Sequence, residues 1–392
     1  MLRSLKLEGF KAFESATVTL EPFTMLVGPN GAGKSTVLQA VDLLGGLVTS
    51  TISEFLQSHG WDYADLPHLR SSSTSIRVEA VLELSGEQIA WRFELGARRY
   101  PGVAREWVTV RRSGTGKAAG EEQDLLVREG RWMRRFDELE RTYEGIEQTL
   151  PSSWLSALDA RSDAKRFPTL VRLAQWARAI RGYFFLDPVR LRSPNRGKPD
   201  DVGRHGELLA PFLASLQRSN KDAYARVLKR VQKHYPHLAE LHFKRTGYGW
   251  TSLEVTERRG KEAARFNARQ VSDGLLRLLA VAAMHELPTP PSVLLLDEVE
   301  NGLHPHLMQG LVEMLHEFVA AAPGQRQVLV TTHSPIAVNF AKKAEEVVIV
   351  DRDRKGRVKV TPLSEAHGFE ELSQHFDLGE LWYNAGEARL VR

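Results

Sequence analysis

The feature of this sequence that most restricts its fold is a glycine-rich stretch near the beginning, Gly28–Thr36, which reads GPNGAGKST. Its spacing matches G-x-x-x-x-G-K-[ST], the pattern of a phosphate-binding loop. Glycines let backbone N–H groups converge on phosphate oxygens, the lysine supplies charge to the β- and γ-phosphates, and the next hydroxyl is a ligand for Mg²⁺. The residues expected to bind the nucleotide are Asn30, Gly31, Gly33, Lys34, Ser35 and Thr36, and Ser35 is also expected to bind the metal.

The flanks of this loop place it between a strand and a helix. Phe23–Val27 reads as a short buried strand, and residues 36–44 carry apolar side chains at a helical period. Strand, loop and helix in this order are the context that the motif requires, because the helix directs its positive end at the bound anion. This context disfavours the alternative, a glycine-rich turn with a chance lysine.

A second pattern lies near residue 297. The apolar run Val293–Leu296 is typical of a strand in a parallel sheet covered on both faces, and it leads directly into Asp297 and Glu298. A carboxylate at Asp297 can hold Mg²⁺, and one at Glu298 can orient the water that attacks a γ-phosphate. An acidic strand end that faces solvent fits this pattern equally well on its own, but the phosphate loop favours the functional interpretation.

Two further motifs follow the same logic. His333 comes directly after the predicted strand Gln327–Thr332, at the end where ligands of parallel sheets bind, and could donate to a γ-phosphate. Ser272 is a good N-cap, and with Gly274 it opens a predicted helix whose free N–H groups suit a phosphate. By itself the Ser272 motif is better explained as an ordinary helix cap. Its position in the chain between the phosphate loop and Asp297 favours a functional role instead.

Composition excludes several classes of protein. The 392 residues are 42% hydrophobic and 26% charged, and 53 Lys and Arg against 49 Asp and Glu give a net charge of +4, too small by itself to indicate a nucleic-acid-binding protein. The absence of cysteine excludes disulfides and cysteine-ligated zinc. No run approaches the ~18 apolar residues of a membrane span, and no signal peptide is evident, so we expect a cytoplasmic protein without a membrane partner.

Periodicity predicts a lobe inserted into the middle of the chain. Residues 76–112 alternate as antiparallel strands, with a weaker strand at 124–128, whereas the pattern is helical from about Phe136 to Asn220. The last third returns to alternating strands and helices and ends in a helical tail over 369–390. We therefore predict an α/β fold in which residues 1–135 and 238–392 form a nucleotide-binding domain and residues 136–237 form a helical insert.

Taken together, the motifs resemble those of ABC-type ATPases, and within them the SMC, RecF and OLD-like group of AAA-family ATP-binding proteins. The stretches that carry the resemblance are Gly9–Phe13 with the phosphate loop, Val271–Arg277, Leu296–Pro305 and Thr331–Pro335. With their flanks they cover residues 1–45 and most of the last third. The resemblance implies a P-loop NTPase fold, namely an ABC-type ATPase head with an antiparallel β lobe and an inserted helical lobe.

The resemblance also implies a mechanism that uses ATP and Mg²⁺. Two heads would enclose two ATP molecules, so the chain is expected to form an ATP-dependent homodimer or a higher oligomer. Ser272 and Gly274 would complete the partner's site. Glu298 would be the catalytic base, His333 would sense the γ-phosphate, and Asn301–His304 would communicate across the dimer.

The sequence departs from the family pattern in two places. The family often has a glutamine that helps to hold Mg²⁺, and here Gln57 is the only glutamine between Val41 and Ser85, so this ligand stays open. The middle of the chain is also too short for the long coiled coil of SMC proteins. No fused nuclease domain is expected.

Nucleic acid is the expected client, mainly because of the resemblance. The sequence adds basic segments at 187–204 and Lys221–Lys233 and arginine pairs at 98–99 and 111–112, each of which also fits a solvated face. The predicted role is DNA repair or defence against phage, with a separately encoded nuclease or toxin as effector. Two alternatives stay open. One is an ATP-dependent regulatory scaffold. The other is the ATPase subunit of a membrane transporter, which the lobe inserted in the middle of the chain and the Ser-Asp-Gly signature at residues 272–274 disfavour.

Overall fold

The computed structural model describes residues 1–68, 75–96, 102–112, 122–184, 186–197, 199–246 and 248–385, which form two large sheets, one small sheet and the helices around them. In chain order the strands are β1 (Leu2–Phe10), β2 (Phe13–Thr19), β3 (Phe23–Val27), β4 (Ile76–Leu84), β5 (Glu87–Leu95), β6 (Val103–Arg112), β7 (Glu122–Glu129), β8 (Trp132–Asp137), β9 (Thr142–Glu147), β10 (Ile180–Tyr183), β11 (Leu238–Arg245), β12 (Thr251–Arg259), β13 (Glu262–Asn267), β14 (Val293–Leu296), β15 (Gln327–Thr332), β16 (Val347–Arg352) and β17 (Val358–Pro362). The α-helices are α1 (Lys34–Thr49), α2 (Ile52–His59), α3 (Pro168–Arg178), α4 (Pro188–Arg192), α5 (Leu209–Ser219), α6 (Lys221–His234), α7 (Asp273–Met284), α8 (Pro305–Ala320), α9 (Pro335–Val338), α10 (Phe369–Leu372) and α11 (Leu378–Ala385).

An eight-stranded antiparallel sheet forms the first lobe, with the strand order β2-β1-β4-β5-β6-β7-β8-β9. Most of its strands alternate between buried and more exposed side chains, as in β5, where Ile89, Trp91 and Phe93 are at most 1% exposed. Such alternation is typical of an antiparallel sheet with one covered face. The antiparallel lobe predicted from residues 76–112 is confirmed.

The helical pattern predicted from Phe136 onward is wrong at its start. β8 ends at residue 137, β9 covers residues 142–147, and both extend the antiparallel sheet. β9 is an edge strand in which no residue is buried, so it lacks the apolar alternation that announces a strand. The weaker strand expected at 124–128 is also longer, spanning β7. The division of the chain at residues 135 and 237 stays a prediction.

A six-stranded sheet forms the centre of the nucleotide-binding part, in the order β10-β14-β15-β3-β16-β17 and parallel except for β17. All residues of β3, β14 and β15 are buried, as their apolar runs predict. Leu26 belongs to the core that contains α1 and α3, whereas Met25 and Val27 belong to the core that contains α7 and α8, so the sheet is covered on both faces. The carboxyl ends of β3, β14 and β15 lie at one edge, which brings their following loops together.

A buried glutamine joins this sheet to the start of the chain. Gln327 is 0% exposed, and its Nε2 donates to the carbonyl oxygens of Leu2 and Glu21 at 2.9 Å each. Its Oε1 accepts from the Leu2 N–H at 3.1 Å. One side chain thus pairs three backbone groups inside the protein, where an unpaired polar group is costly.

The C-terminal third otherwise follows the predicted order of strands and helices. β11, β12 and β13 form a separate three-stranded sheet. The tail predicted as one helix over 369–390 is two helices, α10 and α11, and residues 386–390 lie outside the described part. Within the described ranges, no helix has both the length and the apolarity needed to cross a bilayer.

Candidate nucleotide-binding site

The phosphate loop connects β3 to α1 and depends on glycine backbones. Gly28, Gly31 and Gly33 have φ values of 144°, 75° and 116°, a region that side chains rarely adopt. At Gly28 the space is closed as well, because a Cβ would lie 1.9 Å from the Val350 carbonyl oxygen of β16. Arg352, at the end of β16, fixes the loop from outside through a hydrogen bond of 2.9 Å to the Gly31 carbonyl oxygen.

Lys34 lies across the loop that it terminates. Its Nζ donates to the carbonyl oxygens of Gly28 and Pro29, both at 2.9 Å, and lies 3.4 Å from Nδ1 of His333. The side chain is only 5% exposed. The ammonium group therefore stands between the phosphate loop and the histidine that follows β15, which are two parts of the predicted site.

The two predicted metal ligands contact each other. The Ser35 hydroxyl, on α1, donates to Oδ1 of Asp297 at 2.9 Å, and Asp297 is 7% exposed at the end of β14. The hydroxyl of Thr331, in the neighbouring strand β15, donates to the same Oδ1. Thr331 was not predicted as a site residue, although it lies in the Thr331–Pro335 motif.

Glu298 has an unusual backbone that aims its side chain. Its φ is 49°, the left-handed region that non-glycine residues seldom occupy, and its N–H donates to the Thr331 hydroxyl at 2.8 Å. Residues in such strained conformations persist only where surrounding contacts hold them, and they are frequent at functional sites. The side chain of Glu298 lines the cavity described below.

Glu300 is a second residue that sequence analysis missed. Its Oε1 accepts from the backbone N–H of His333 at 2.5 Å, and its Oε2 is buried without a hydrogen-bond partner in the described part of the chain. Arg277 of α7 is 4% exposed, and burial lowers the pKa of its guanidinium, a shift that the carboxylates of Asp273, Glu300 and Glu298 oppose. Glu300 thus holds the loop of His333 and carries charge that favours a cation on α7.

Some of these residues line an open cavity of about 820 Å³. Its lining residues are Gly28, Pro29, Asn30, Glu298, Glu300, Asn301, His333, Pro335, Trp382 and Tyr383. Trp382 and Tyr383 come from α11, which no sequence motif had assigned to the site. The structure therefore brings together the phosphate loop, the two carboxylates after β14 and the histidine after β15, as predicted.

Ser272 and Gly274 lie apart from this cavity. Ser272 is exposed and caps α7 by accepting from the Leu275 N–H at 3.3 Å. A Cβ at Gly274 would lie 2.7 Å from Cδ1 of Leu307 in α8, which explains the glycine by packing. Neither residue is among those that line the cavity in the described part of the chain. Gln57 is exposed on α2 and is also absent from this lining.

Most of the predicted basic segments are neutralised within the chain. On α6, Arg226 and Arg230 pair with Glu286, and Lys233 pairs with glutamates of α8. In the 187–204 loop, Arg192 pairs with Asp273 and Arg204 with Asp42, while Lys198 lies outside the described residues. Arg112 pairs with Glu87 and Glu138, and residues 98–99 lie outside the described residues.

Comparison with known proteins assigns the family. Residues 23–339 match the family described as "AAA domain, putative AbiEii toxin, Type IV TA system". The chain belongs to this AAA family. The predicted relationship to SMC, RecF and OLD-like ATPases is thereby confirmed, and nucleotide binding by a P-loop is a property of that family.

One curated relative of this AAA protein is an OLD nuclease from Thermus scotoductus (strain ATCC 700910 / SA-01). The two are 44% identical over 55 residues, which are 14% of this chain and 10% of the relative. The match therefore spans about a tenth of the length of the nuclease.

Solved structures of SMC heads share the fold of this AAA protein. An SMC head bound to the C-winged helix domain of ScpA has a TM-score of 0.55 at 16% identity and covers 92% of this chain and 96% of its own. A Pyrococcus furiosus SMC head with an extended coiled coil, bound to the C-terminal domain of ScpA, has a TM-score of 0.53 at 14% identity, and the match covers 95% of this chain and 98% of the SMC head. The predicted P-loop NTPase fold of the ABC-type head is confirmed.

Proposed function

We propose that this protein hydrolyses ATP with Mg²⁺ as a dimer that encloses the nucleotide, and that its client is nucleic acid. The proposal depends above all on the contact between Ser35 and Asp297, next to a cavity lined by Glu298 and His333. With the phosphate loop, whose Gly28, Pro29 and Asn30 line the same cavity, these residues supply the four functions that hydrolysis of a nucleoside triphosphate requires: a metal site, a base, a cradle for phosphate and a donor toward the γ-phosphate.

The oxygens of Ser35 and Asp297 fit a magnesium ion. Mg²⁺ prefers hard oxygen ligands at about 2.1 Å in octahedral geometry, in which neighbouring ligands lie about 2.9 Å apart. The Ser35 Oγ and the Asp297 Oδ1 are separated by 2.9 Å. Both would hold the metal against the β- and γ-phosphates of ATP, with Lys34 and the loop N–H groups around the same phosphates.

Glu298 is the candidate base and His333 the candidate donor. Glu298, whose backbone is strained, lines the cavity in which the γ-phosphate and the attacking water would stand. His333 lies 3.4 Å from the ammonium of Lys34, so both could bind one terminal phosphate. Once the metal and the phosphate loop hold the nucleotide, the protein has two further tasks: to remove a proton from the attacking water and to donate to the phosphate oxygens.

A second copy of the chain would close the site. The cavity is open, and Ser272 is exposed at the start of α7 and is not among the described residues that line this cavity. An exposed helix N-terminus suits a phosphate carried by another molecule. In the proposed dimer, Ser272 and Gly274 of each chain face the phosphate loop of the other, and ATP holds the two together until it is hydrolysed.

A hairpin tip supports nucleic acid as the client better than the neutralised basic segments do. Between β11 and β12, Tyr248 is 85% exposed and Trp250 39% exposed. The Arg196 guanidinium lies 5.6 Å from the Trp250 ring, and exposed Lys244 and Arg245 have no ion-pair partner among the described residues. Exposed aromatic rings beside unpaired cations are the features with which proteins bind single-stranded nucleic acids.

The proposed pathway is DNA repair or defence against phage. The family description names a toxin of a toxin–antitoxin system, and the curated relative is a nuclease. We therefore propose a separately encoded nuclease or toxin as the effector of this ATPase.

A Glu298→Gln variant tests hydrolysis. The amide keeps the size of the side chain but cannot accept a proton, so turnover should fall by about 10²–10³-fold while ATP-bound dimer accumulates. Phosphate release and size-exclusion chromatography with ATP measure both. A protein that uses ATP only as a regulatory scaffold would show little change in turnover.

Fluorescence anisotropy with a labelled oligothymidine at low salt tests the client. A Tyr248→Ala/Trp250→Ala variant should bind more weakly, whereas Trp132→Ala, which removes a 49% exposed ring from the β lobe, should bind normally. Binding should also weaken steeply as salt increases. No binding by the wild-type protein, with or without ATP, would refute this part of the proposal.

A further inference from the structure

Two exposed apolar side chains stand beside the nucleotide cavity on helices that pack together. Tyr383 of α11 lines the cavity and is 74% exposed, and Ile336 of α9, next to the cavity residue Pro335, is 43% exposed. The two helices are fixed to each other, because the Gly379 N–H donates to the Asn339 side chain at 2.6 Å and a Cβ at Gly379 would lie 2.0 Å from the Pro335 carbonyl oxygen. Ile336 and Tyr383 form the cavity rim. Neighbouring exposed apolar side chains, unlike scattered ones, mark surfaces that another molecule covers.

A third exposed apolar side chain stands beside the start of α7. Val189 of α4 is 71% exposed. Its helix is fastened to the start of α7 by Arg192, which donates to the Val271 carbonyl oxygen at 2.9 Å and pairs with Asp273. Val189 therefore belongs to the same part of the chain as Ser272, which in the proposed dimer faces the phosphate loop of the other copy.

One loop connects the cavity with the start of α7. Asn301 lines the cavity, and a Cβ at the next residue, Gly302, would lie 3.5 Å from Cβ of Asp273 at the start of α7. The cavity and the start of α7 are thus in contact through this loop. A two-fold axis beside the loop would place the start of α7 of one copy over the cavity of the other, and would bring Val189 of α4 to the other copy's cavity rim.

The charges of the two surfaces are complementary. Residues 188–197, which contain α4, carry three arginines and no acidic residue, whereas residues 369–385, which contain α10 and α11, carry four acidic residues and no lysine or arginine. Arg190, next to Val189, has a side chain that is 57% exposed and lies 3.8 Å from the Asp187 carboxylate. Glu380 is exposed three residues before Tyr383. Complementary charges of this kind orient two proteins and exclude like-charged alternatives.

We infer that α4 of one copy docks on the cavity rim of the other copy, an inference that rests on the proposed ATP-dependent dimer. Val189 packs against Ile336 and Tyr383, and Arg190 faces Glu380. By symmetry, each dimer contains this contact twice. Because α11 lies beyond residue 339, where the match to the AAA family ends, the contact distinguishes copies of this chain from other members of the family.

The absence of cysteine from the chain makes disulfide cross-linking a direct test of this contact. Val189→Cys and Tyr383→Cys are introduced into separate full-length Glu298→Gln chains, one of them tagged, and the two are mixed with ATP, Mg²⁺ and a mild oxidant. A disulfide requires Cα atoms within about 7 Å of each other. Half of the dimers in an equal mixture contain both chains, and one of the two contacts in each carries both cysteines. Up to about half of the chains should therefore be cross-linked with ATP and none without it. Val189→Cys mixed with Trp132→Cys, whose ring is exposed on the β lobe, should give no cross-link.

Charge reversal tests the polar part of the contact. Arg190→Glu and Glu380→Arg should each raise the dissociation constant of the ATP-bound Glu298→Gln dimer by roughly three- to thirtyfold, because each dimer contains two such pairs. The variant with both reversals should return close to the parent, since the charges again face their opposites. Analytical ultracentrifugation measures the constants, and Arg131→Glu, in the exposed turn between β7 and β8, is the matched control that should change nothing.

Two results would overturn the inference while leaving the proposed dimer intact. One is an ATP-bound dimer without the cross-link between positions 189 and 383, or with the same cross-linking yield in the absence of ATP. The other is a double reversal that dimerises as weakly as the single ones. If the Glu298→Gln protein forms no dimer with ATP, the proposed dimer itself is wrong, and the contact fails with it.

Discussion

Replacing Glu300 with alanine should release His333 from its position beside Lys34. Oε1 of Glu300 accepts from the His333 N–H at 2.5 Å, while its Oε2 is buried without a hydrogen-bond partner in the described part. A hydrogen bond to a charged group contributes about 1.5–3 kcal/mol. If that energy is needed to hold His333 on the γ-phosphate, kcat should fall by about 10- to 150-fold, because each 1.36 kcal/mol is tenfold in rate.

Glu300→Gln is the matched control, because it keeps an oxygen for the His333 N–H and removes only the charge. Both variants lose the negative charge near Arg277, so their difference isolates the hydrogen bond. We expect Glu300→Gln to stay within about tenfold of wild type, since a neutral hydrogen bond contributes roughly 0.5–1.5 kcal/mol. Steady-state ATP hydrolysis measures both, with urea unfolding to show that both fold. Equal losses in the two variants, or none in Glu300→Ala, would refute the reasoning.

Three further predictions concern stability, pH and assembly. Gln327→Met removes the side-chain partner of the buried Leu2 N–H and C=O groups, whereas the Glu21 carbonyl keeps the Thr24 hydroxyl at 3.2 Å. The free energy of unfolding should fall by about 2–6 kcal/mol, and Gln309→Met on the exposed face of α8 should change it by less than about 0.5 kcal/mol in urea titrations. Burial lowers the pKa of His285 to about 3, so below pH 6.5 the unfolded chain binds a proton that the folded chain does not, and the free energy of unfolding decreases as the pH falls. The wild-type protein should therefore lose about 2 kcal/mol through this group between pH 7 and pH 5, and His285→Leu should not show that part of the loss. An unchanged loss in His285→Leu would contradict this prediction. Lys34→Ala and Ser272→Arg should each be inactive alone. In an equal mixture, half of the dimers contain one chain of each kind, and each of these mixed dimers has one intact site out of two, so about a quarter of wild-type turnover should return. No recovery would contradict the two-fold arrangement.

The parts of the site that could be predicted are those whose chemistry allows few sequences. The phosphate loop needs glycines at fixed spacing, and the metal carboxylate follows a strand that is apolar throughout, so Lys34 and Asp297 were recognisable from local sequence. Thr331, Glu300 and Trp382 were not, because contacts between segments distant in sequence bring each of them to the site. Trp382 in particular reaches the cavity only because α11 packs against α9.

The errors have the same origin. β9 lacks apolar alternation because it is an edge strand, and only its pairing with β8 makes it a strand. The sequence left open whether the basic helix α6 is a nucleic-acid surface or a solvated face, and it could not show that Glu286, 60 residues after Arg226, pairs with two of its arginines. Pairing partners of this kind depend on tertiary structure, which no local pattern contains.

The central position of β3 has a consequence for the synthesis of the protein. β3 pairs with β15 on one side and β16 on the other, and β15 begins 300 residues after β3 ends (327 − 27). At about 5–20 residues per second, a ribosome needs roughly 15–60 s to make that interval. Throughout that interval the nascent chain carries a strand whose residues are all buried in the folded protein, and neither neighbouring strand has yet been made. Chains cut short before residue 327 should therefore aggregate or bind chaperones.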